Sequence, residues 1–115
     1  MMTSDEFRDL ALEQPQAVES AHQGHPDFRV RGKIFATLGY PDDSAGMVKL
    51  TPEQQKQFMR SDRKSFAPCA GAWGARGATI VYLKDADADT VRRTLRLAWL
   101  NVAPKQLAAQ FKLDD

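Results

Sequence analysis

The sequence has 115 residues, 43% of them hydrophobic and 27% charged, with 16 Lys and Arg against 15 Asp and Glu. This size and composition are typical of one folded domain, residues 1–115, and exclude a disordered or low-complexity chain. The formal net charge is only +1. An anion-binding surface must therefore come from local clustering of cations, because the overall charge supplies no attraction.

The first predicted element is a helix that begins at Thr3 and ends before Pro15. Thr3 and Glu6 have the spacing of a capping box, and proline disfavours helical geometry in the residue before it. Three strands are predicted next, a weak one over 17–22, a strong one over 28–38 and a short one over 47–50. The turn-rich stretch GYPDDSAG separates the last two.

A second helix is predicted to begin in LTPEQQ, where Thr51 is the N-cap, Pro52 fits the first helical position and Gln54 completes a capping box. Two strands follow, over 66–68 and 79–83, and the glycine-rich GAWGARG between them indicates a loop or broad hairpin.

The third predicted helix lies in DADTVRRTLRLAWLNVAP, with Asp87 or Asp89 as its N-cap and an apolar stripe that includes Val91 and Leu95. A short helix over 104–113 completes the chain and buries Leu107 and Phe111. Since short connections join the strands, we predict an α+β fold in two layers, an antiparallel sheet with helices on one face. The predicted order is α-β(3)-α-β(2)-α plus the short C-terminal helix.

The strand predicted in PDFRVRGKIFATLG carries the main functional hypothesis. If it is continuous, Arg29, Arg31 and Lys33 lie on one face at a spacing of about 7 Å, which can follow a phosphate backbone. The alternative is that these cations form only the solvated side of the sheet.

Other cations extend this hypothesis if the fold brings them near. MRSDRK supplies Arg60, Arg63 and Lys64, and Arg76 lies in the later glycine-rich loop. Arg92 and Arg96 lie on one flank of the third helix with Trp99 beyond. A solvated helix face with local Arg–Trp stacking is the simpler interpretation of that flank. The predicted nucleic-acid-binding residues are Arg29, Arg31, Lys33, Arg63, Lys64, Arg76, Arg92 and Arg96.

Three patterns that suggest other chemistry are weak. His22 and His25 with Asp27 lack the spacing and the fourth ligand of a structural metal site. Cys69, the single cysteine, has no activating base beside it, so a small buried side chain is the better interpretation. GAWGARG lacks the Lys-Ser/Thr pair of a P-loop. We expect no metal, no cofactor and no enzymatic activity.

The compartment is also predicted from the sequence. A lone cysteine suits a reducing environment, and the opening MMTSDEFRDL lacks the apolar stretch of a secretory signal. No apolar run approaches the length that crosses a bilayer. We expect a cytoplasmic protein with no membrane association, as a monomer or weak homodimer.

The chain resembles the MmcQ/YjbR-like family over nearly its full length. The resemblance lies in LALEQPQAVES, HPDFRVRGKIFATL, VKLTPEQQ, FAPCAGAWGARGATIVYL and LRLAWLNVAPKQL. It implies the same α, three β, α, two β, α order in two layers. It also implies a DNA-binding description that rests on fold similarity to a phage transcription regulator domain, and it supplies no catalytic or binding residues.

Two positions depart from the commoner pattern of that family. Gly77 is followed by Ala78 where many relatives have Gly-Trp, and Ala98-Trp99 stands where Ser-Tyr is frequent. A role that depends on that tyrosine hydroxyl is therefore not carried over to this chain.

Three function classes stay open. The first is a DNA-binding module that contacts the nucleic-acid backbone through the cationic strand face. The second is a protein-interaction module, because the same arrangement resembles that of secretion chaperones. The third is an enzyme or small-ligand protein, for which no acid, base or nucleophile pair is recognisable. A contiguous positive face favours the first class, and an exposed apolar patch favours the second.

Overall fold

The computed structural model of the protein describes residues 2–111. Residue 1 and residues 112–115 of the predicted domain lie outside the described residues. So do the last two residues, 112 and 113, of the predicted helix over 104–113. The helices are α1 (Ser4–Leu12), α2 (Pro52–Ser61), α3 (Gly71–Ala75), α4 (Ala88–Val102) and α5 (Lys105–Ala109). The strands are β1 (Val18–His22), β2 (His25–Val30), β3 (Lys33–Leu38), β4 (Ala45–Lys49), β5 (Phe66–Pro68) and β6 (Ala78–Tyr82).

The helices begin where their capping residues predict. The Thr3 hydroxyl accepts a hydrogen bond from the backbone of Glu6, and the Thr51 hydroxyl accepts one from the backbone of Gln54. In both cases the Glu or Gln side chain returns a bond to the capping backbone, which completes the box. Asp87 is the N-cap of α4.

The six strands form one antiparallel sheet in the order β1-β2-β3-β4-β6-β5. The main core lies between this sheet and the long helices α1, α2 and α4, where Phe7, Phe28, Leu95 and Trp99 are buried. The α+β class with an open antiparallel sheet is confirmed. Across residues 2–111, no helix is long and apolar enough to cross a membrane.

The predicted single strand over 28–38 is wrong, because this segment folds as the hairpin β2–β3. Val30 pairs with Lys33 across a two-residue turn in which Arg31 and Gly32 have φ angles of 51° and 81°. A turn with positive φ at both central residues matches the right-handed twist of the strands, and glycine adopts it without strain. The sheet therefore has four strands before α2 rather than three.

The predicted loop between β5 and β6 contains the short helix α3. Its Trp73 packs on the sheet face opposite the long helices, against a second buried cluster that includes Met47, Cys69 and Ile80. A Cβ atom at Gly74 would lie 1.7 Å from the backbone oxygen of Cys69. Only glycine allows this close approach of α3 to the strand before it.

Candidate nucleic-acid interface

The exposed side of α4 carries three arginines because its opposite side is buried in the core. Val91, Leu95 and Ala98 are each fully buried, so the helical period places Arg92, Arg93 and Arg96 toward the solvent. Arg92 and Arg93 are exposed and Arg96 is half-buried.

Trp99 fixes α4 against the rest of the chain. Its side chain is fully buried, and its Nε1–H donates a hydrogen bond of 2.8 Å to the backbone oxygen of Pro15. The ring of Phe111 packs edge-on at a centroid distance of 5.4 Å. Because the indole is buried, it does not form a binding surface beside Arg92 and Arg96.

The facing helix α2 is held by one buried side chain. The amide nitrogen of Gln55 donates to the backbone oxygens of Gly74 and Ala78, at 3.1 and 3.0 Å. Phe58, one turn further, packs on Phe66 of β5 with a ring centroid distance of 5.4 Å. These contacts set the outer side of α2 next to the arginines of α4.

Three adjoining cavities lie beside α2, and α4 borders two of them; together we call them the arginine groove. The largest, of about 650 Å³, shares Gln57, Phe58 and Arg93 with a second of about 560 Å³. Arg60 joins the second to a third of about 440 Å³ on the other flank of α2. The cations that line the groove are Lys56, Arg60, Arg63, Arg92, Arg93 and Arg96, and its carboxylates are Glu13 and Asp62.

Only part of this positive charge is neutralised by the protein. Arg92 forms ion pairs with Glu13 at 3.3 Å and with Asp89 at 3.1 Å. Arg96 donates from Nε to the side-chain oxygen of Gln14 at 2.8 Å, a neutral partner that leaves its charge uncompensated. The remaining cations of the groove form no ion pair within residues 2–111, and these are Lys56, Arg60, Arg63 and Arg93.

The cations predicted on one strand are separated by the β2–β3 hairpin. Arg29 lies on β2 and forms two hydrogen bonds with the carboxylate of Asp27, at 2.8 and 3.0 Å. Asp27 is fully buried, and the hydrogen bond from Arg29 is the main reason that the pKa of its carboxyl lies below the ordinary value of 3.8. Arg29 therefore neutralises a buried charge of the protein itself.

The other two hairpin cations differ in their surroundings. Arg31 lies in the turn and donates to the side-chain oxygen of Gln16 at 2.7 Å. Lys33 begins β3 and lines a hollow of about 450 Å³ with Arg29 and Lys49. The three residues do not form a single row along one strand, which removes the geometric basis of the cationic strand face.

The last predicted cations lie on different parts of the surface. Arg63 lines the third cavity of the arginine groove, whereas Lys64 is exposed just after α2. Arg76 is the C-cap of α3 and lines none of the groove cavities. Thus the structure groups Arg63, Arg92 and Arg96 in one groove.

Cys69 is buried and has no role in this groove. Burial raises the pKa of its thiol to about 11, so the thiol is protonated and weakly nucleophilic near neutral pH. Within residues 2–111, no three His, Cys, Asp or Glu side chains form a group that could hold a metal ion.

The list of predicted binding residues omits three cations of the groove, Lys56, Arg60 and Arg93, although Arg60 is one of the MRSDRK cations that could extend the cationic patch. A signal for Arg93 was present, because Leu97 lies four residues on and the two side chains share one side of α4. That side faces α2, as their common cavity with Phe58 shows. The position of α2 in the fold was needed to show that this side of α4 borders a cavity with Phe58.

A family model described as YjbR matches residues 12–101. The chain belongs to the YjbR family. The matched residues include both helices of the arginine groove and all six strands. A search of curated proteins finds no match.

A solved structure supports the fold of this YjbR domain. The chain is similar to the crystal structure of Deinococcus radiodurans protein DR2400, which carries a DUF419 domain, with a TM-score of 0.73 and 21% identity. The superposition covers 88% of this chain and 78% of that one. At this identity the likeness concerns the fold alone.

Proposed function

We propose that this YjbR-family protein binds the phosphate backbone of nucleic acid, DNA in the first instance, through the arginine groove. The observation that carries the proposal is that Lys56, Arg60, Arg63 and Arg93 line three adjoining cavities and form no salt bridge among residues 2–111. The role is one of binding and requires no catalytic residue.

The chemistry of the groove suits a phosphate backbone. Arginine presents a planar fork of donors that matches phosphate oxygens, and its charge persists at every physiological pH. Phe58 and Leu97 form an apolar part of the lining of the largest cavity, beside the arginines of α4. Sugar rings can pack against this apolar part while the neighbouring guanidinium groups contact phosphates.

The charge balance predicts weak binding with little sequence preference. The formal net charge is +1, so long-range attraction is small and the affinity must come from local contacts. Phosphate contacts position a protein on nucleic acid without reading its bases. Affinity should therefore fall steeply as salt rises, because each neutralised phosphate releases condensed counterions.

A protein partner is the second candidate, and it is favoured by strand β1. This edge strand is exposed along its whole length, and its Val18 is 55% exposed. An open edge can pair with an extended segment of another chain. Among residues 2–111, Leu12 and Val18 are the exposed large hydrophobics. The apolar surface offered to such a partner is thus small, which places this candidate second.

The proposal is tested by titrating a fluorescein-labelled duplex of about 20 base pairs, long enough for several phosphate contacts, with the full chain at low salt. We expect saturable binding that a duplex of unrelated sequence reproduces and that weakens as salt rises. Arg93→Gln should weaken binding several-fold. The matched control is Arg76→Gln, because Arg76 is an exposed arginine that lines no cavity of the groove.

Two results would contradict the proposal. One is the absence of measurable duplex binding at low salt, where electrostatic attraction is strongest. The other is an equal loss of affinity in Arg93→Gln and Arg76→Gln, which would indicate attraction to the overall surface and not to the groove.

A further inference from the structure

A small pocket lies on the sheet face opposite the arginine groove. Its volume is about 370 Å³, within the lower range of small-molecule sites. The residues that line it come from the β1–β2 hairpin, from β3 and its following turn, and from α3. They are His22, Gln23, His25, Thr37, Tyr40 and Trp73.

Flat rings form most of the pocket wall. Tyr40 and Trp73 meet edge to face, with ring centroids 5.3 Å apart and an angle of 70° between the planes. His22 and His25 form a second pair, 6.4 Å apart and at 64°. Such walls favour a ligand that is itself planar, because aromatic rings gain energy from stacked and edge-on contacts.

Thr37 lines the pocket and is only 2% exposed. Within residues 2–111, its Oγ1 is the buried side-chain polar atom that lacks a hydrogen-bond partner. A buried hydroxyl without a partner costs free energy, and a ligand that bonds to it removes that cost. Unpaired groups of this kind are rare in native proteins.

The charges around the pocket are balanced. The carboxylate of Asp27 accepts a hydrogen bond of 2.8 Å from Nδ1 of His22 and two from Arg29. In the neutral imidazole this fixes the proton on Nδ1 and leaves Nε2 as an acceptor. No Lys, Arg, Asp or Glu lies among the lining residues. The site therefore offers hydrogen-bond donors and acceptors from histidine, glutamine, threonine and tyrosine side chains.

We propose that this pocket binds a planar, uncharged nitrogen heterocycle, such as a nucleobase, between the Tyr40–Trp73 pair and the two histidines. Thr37 and Tyr40 donate hydroxyl hydrogens to the ring's acceptors, and Nε2 of His22 accepts from a ring or exocyclic N–H. No Lys or Arg lines the pocket to compensate an anion, and a purely apolar ring leaves the Thr37 hydroxyl unpaired. This site does not depend on the arginine groove.

The test is calorimetric titration of the full chain with adenine and cytosine, and with phenol and benzoate as planar controls. We expect saturable binding of at least one base and weaker or absent binding of both controls. Adenosine then distinguishes a free ring from a ring carried on a sugar. If adenosine binds as tightly as adenine, the natural ligand is a base attached to a sugar. If only adenine binds, the natural ligand is the free base.

Two conservative variants test the contacts separately. Thr37→Val keeps the side-chain shape and should weaken base binding about tenfold, the size of one hydrogen bond. Its melting temperature should equal or exceed that of the parent, because an unpaired buried hydroxyl is removed. Tyr40→Phe should weaken binding as well. Tyr82→Phe is the matched control, because Tyr82 lies on the same sheet face but does not line the pocket.

Three outcomes would overturn the proposal. The first is heats of adenine and cytosine injection that equal the heats of dilution. The second is phenol binding as tightly as the bases, which would indicate an apolar pocket without polar recognition. The third is unchanged affinity in both Thr37→Val and Tyr40→Phe while the two variants remain folded.

Discussion

The arginine groove and the β2–β3 hairpin both carry several cations, and they differ in what those charges already contact. In the groove, Arg60 and Arg93 form no salt bridge within residues 2–111. In the hairpin, Arg29 is bound to the buried carboxylate of Asp27 and Arg31 to the amide of Gln16. Lys33, the third hairpin cation, lines a hollow. Its side chain forms neither a salt bridge nor a side-chain hydrogen bond within residues 2–111.

This difference shows that the number of cations in a segment does not measure its capacity to bind an anion. A guanidinium that already shares a buried carboxylate must lose that partner or share it before it can bind phosphate, and leaving the carboxylate buried alone is costly. An arginine that faces solvent between two helices has no such competitor. The groove is therefore the better candidate, although its cations are far apart in the sequence.

The largest expected effect comes from removing the anchor of α4. Trp99→Ala should lower the free energy of unfolding by about 3–5 kcal/mol, because it empties a fully buried site and breaks the bond to Pro15. Thermal or urea unfolding measures this change in the free energy of unfolding. Trp73→Phe is the control, because Trp73 is half-buried, and it should lower the free energy of unfolding by less. A shift of only a degree or two in Trp99→Ala would mean that α4 is held by other contacts.

A smaller effect is expected at the buried carboxylate of the hairpin. Asp27→Asn should cost about 1.5–3 kcal/mol at neutral pH, because the charge-assisted bonds from Arg29 become weaker. Since the pKa of Asp27 is lowered in the folded state below 3.8, its contribution is complete above that value. It is lost as the pH falls through the folded-state pKa. Unfolding of parent and variant from neutral to strongly acidic pH should therefore converge at the acid end.

The same variant sharpens the comparison between the two regions. Asp27→Asn leaves Arg29 without a counter-charge, so the hairpin should gain attraction for phosphate if neutralisation is what prevents it. The slope of log K against log salt for duplex binding should become steeper by up to about 0.9, the value of one phosphate contact. An unchanged slope would mean that the position of Arg29, and not its pairing, prevents contact.

The smallest stability effect concerns the start of α2, the other wall of the groove. Thr51→Ala should cost about 1 kcal/mol, because the capping hydroxyl that accepts from the backbone of Gln54 is removed. Thr51→Ser keeps an equivalent oxygen and should cost little. If both variants unfold at the same denaturant concentration as the parent, the α2 N-terminus contributes nothing to the stability of the groove.

The helix starts could be predicted from the sequence because their signals are local. Thr3, Thr51 and Asp87 each bond to a backbone group two or three residues away. The hairpin was missed because Arg31-Gly32 is an unusual pair for a two-residue turn. Arginine adopts positive φ less readily than the asparagine or aspartate that normally mark such turns. The alternating pattern on either side of Gly32 therefore predicted one long strand.

The candidate site could be predicted only in part, because it depends on partners distant in the sequence. Arg92 reaches Glu13, 79 residues away, whereas the adjacent Arg93 faces α2. The spacing of Arg93 and Leu97 places them on one side of α4, but it does not show that α2 lies on that side. The Asp27–Arg29 pair is different, because residues two apart on a strand share a face, so this pairing was accessible from the sequence and was not predicted.

The central claim, that the groove and not the hairpin contacts phosphate, is tested most directly by two matched double variants. Arg60→Gln with Arg93→Gln removes two groove charges, and Arg31→Gln with Lys33→Gln removes two hairpin charges without exposing Asp27. Both pairs are exposed, so both variants should melt near the parent. Each is titrated with the same duplex over a series of salt concentrations.

The measured quantity is the slope of log K against log salt. For the groove variant it should become shallower than the parent's by about 1.8, because each phosphate that the protein no longer neutralises reduces the slope by roughly 0.9. For the hairpin variant the slope should stay near that of the parent. Equal changes in both variants, or a change in the hairpin variant alone, would contradict the account.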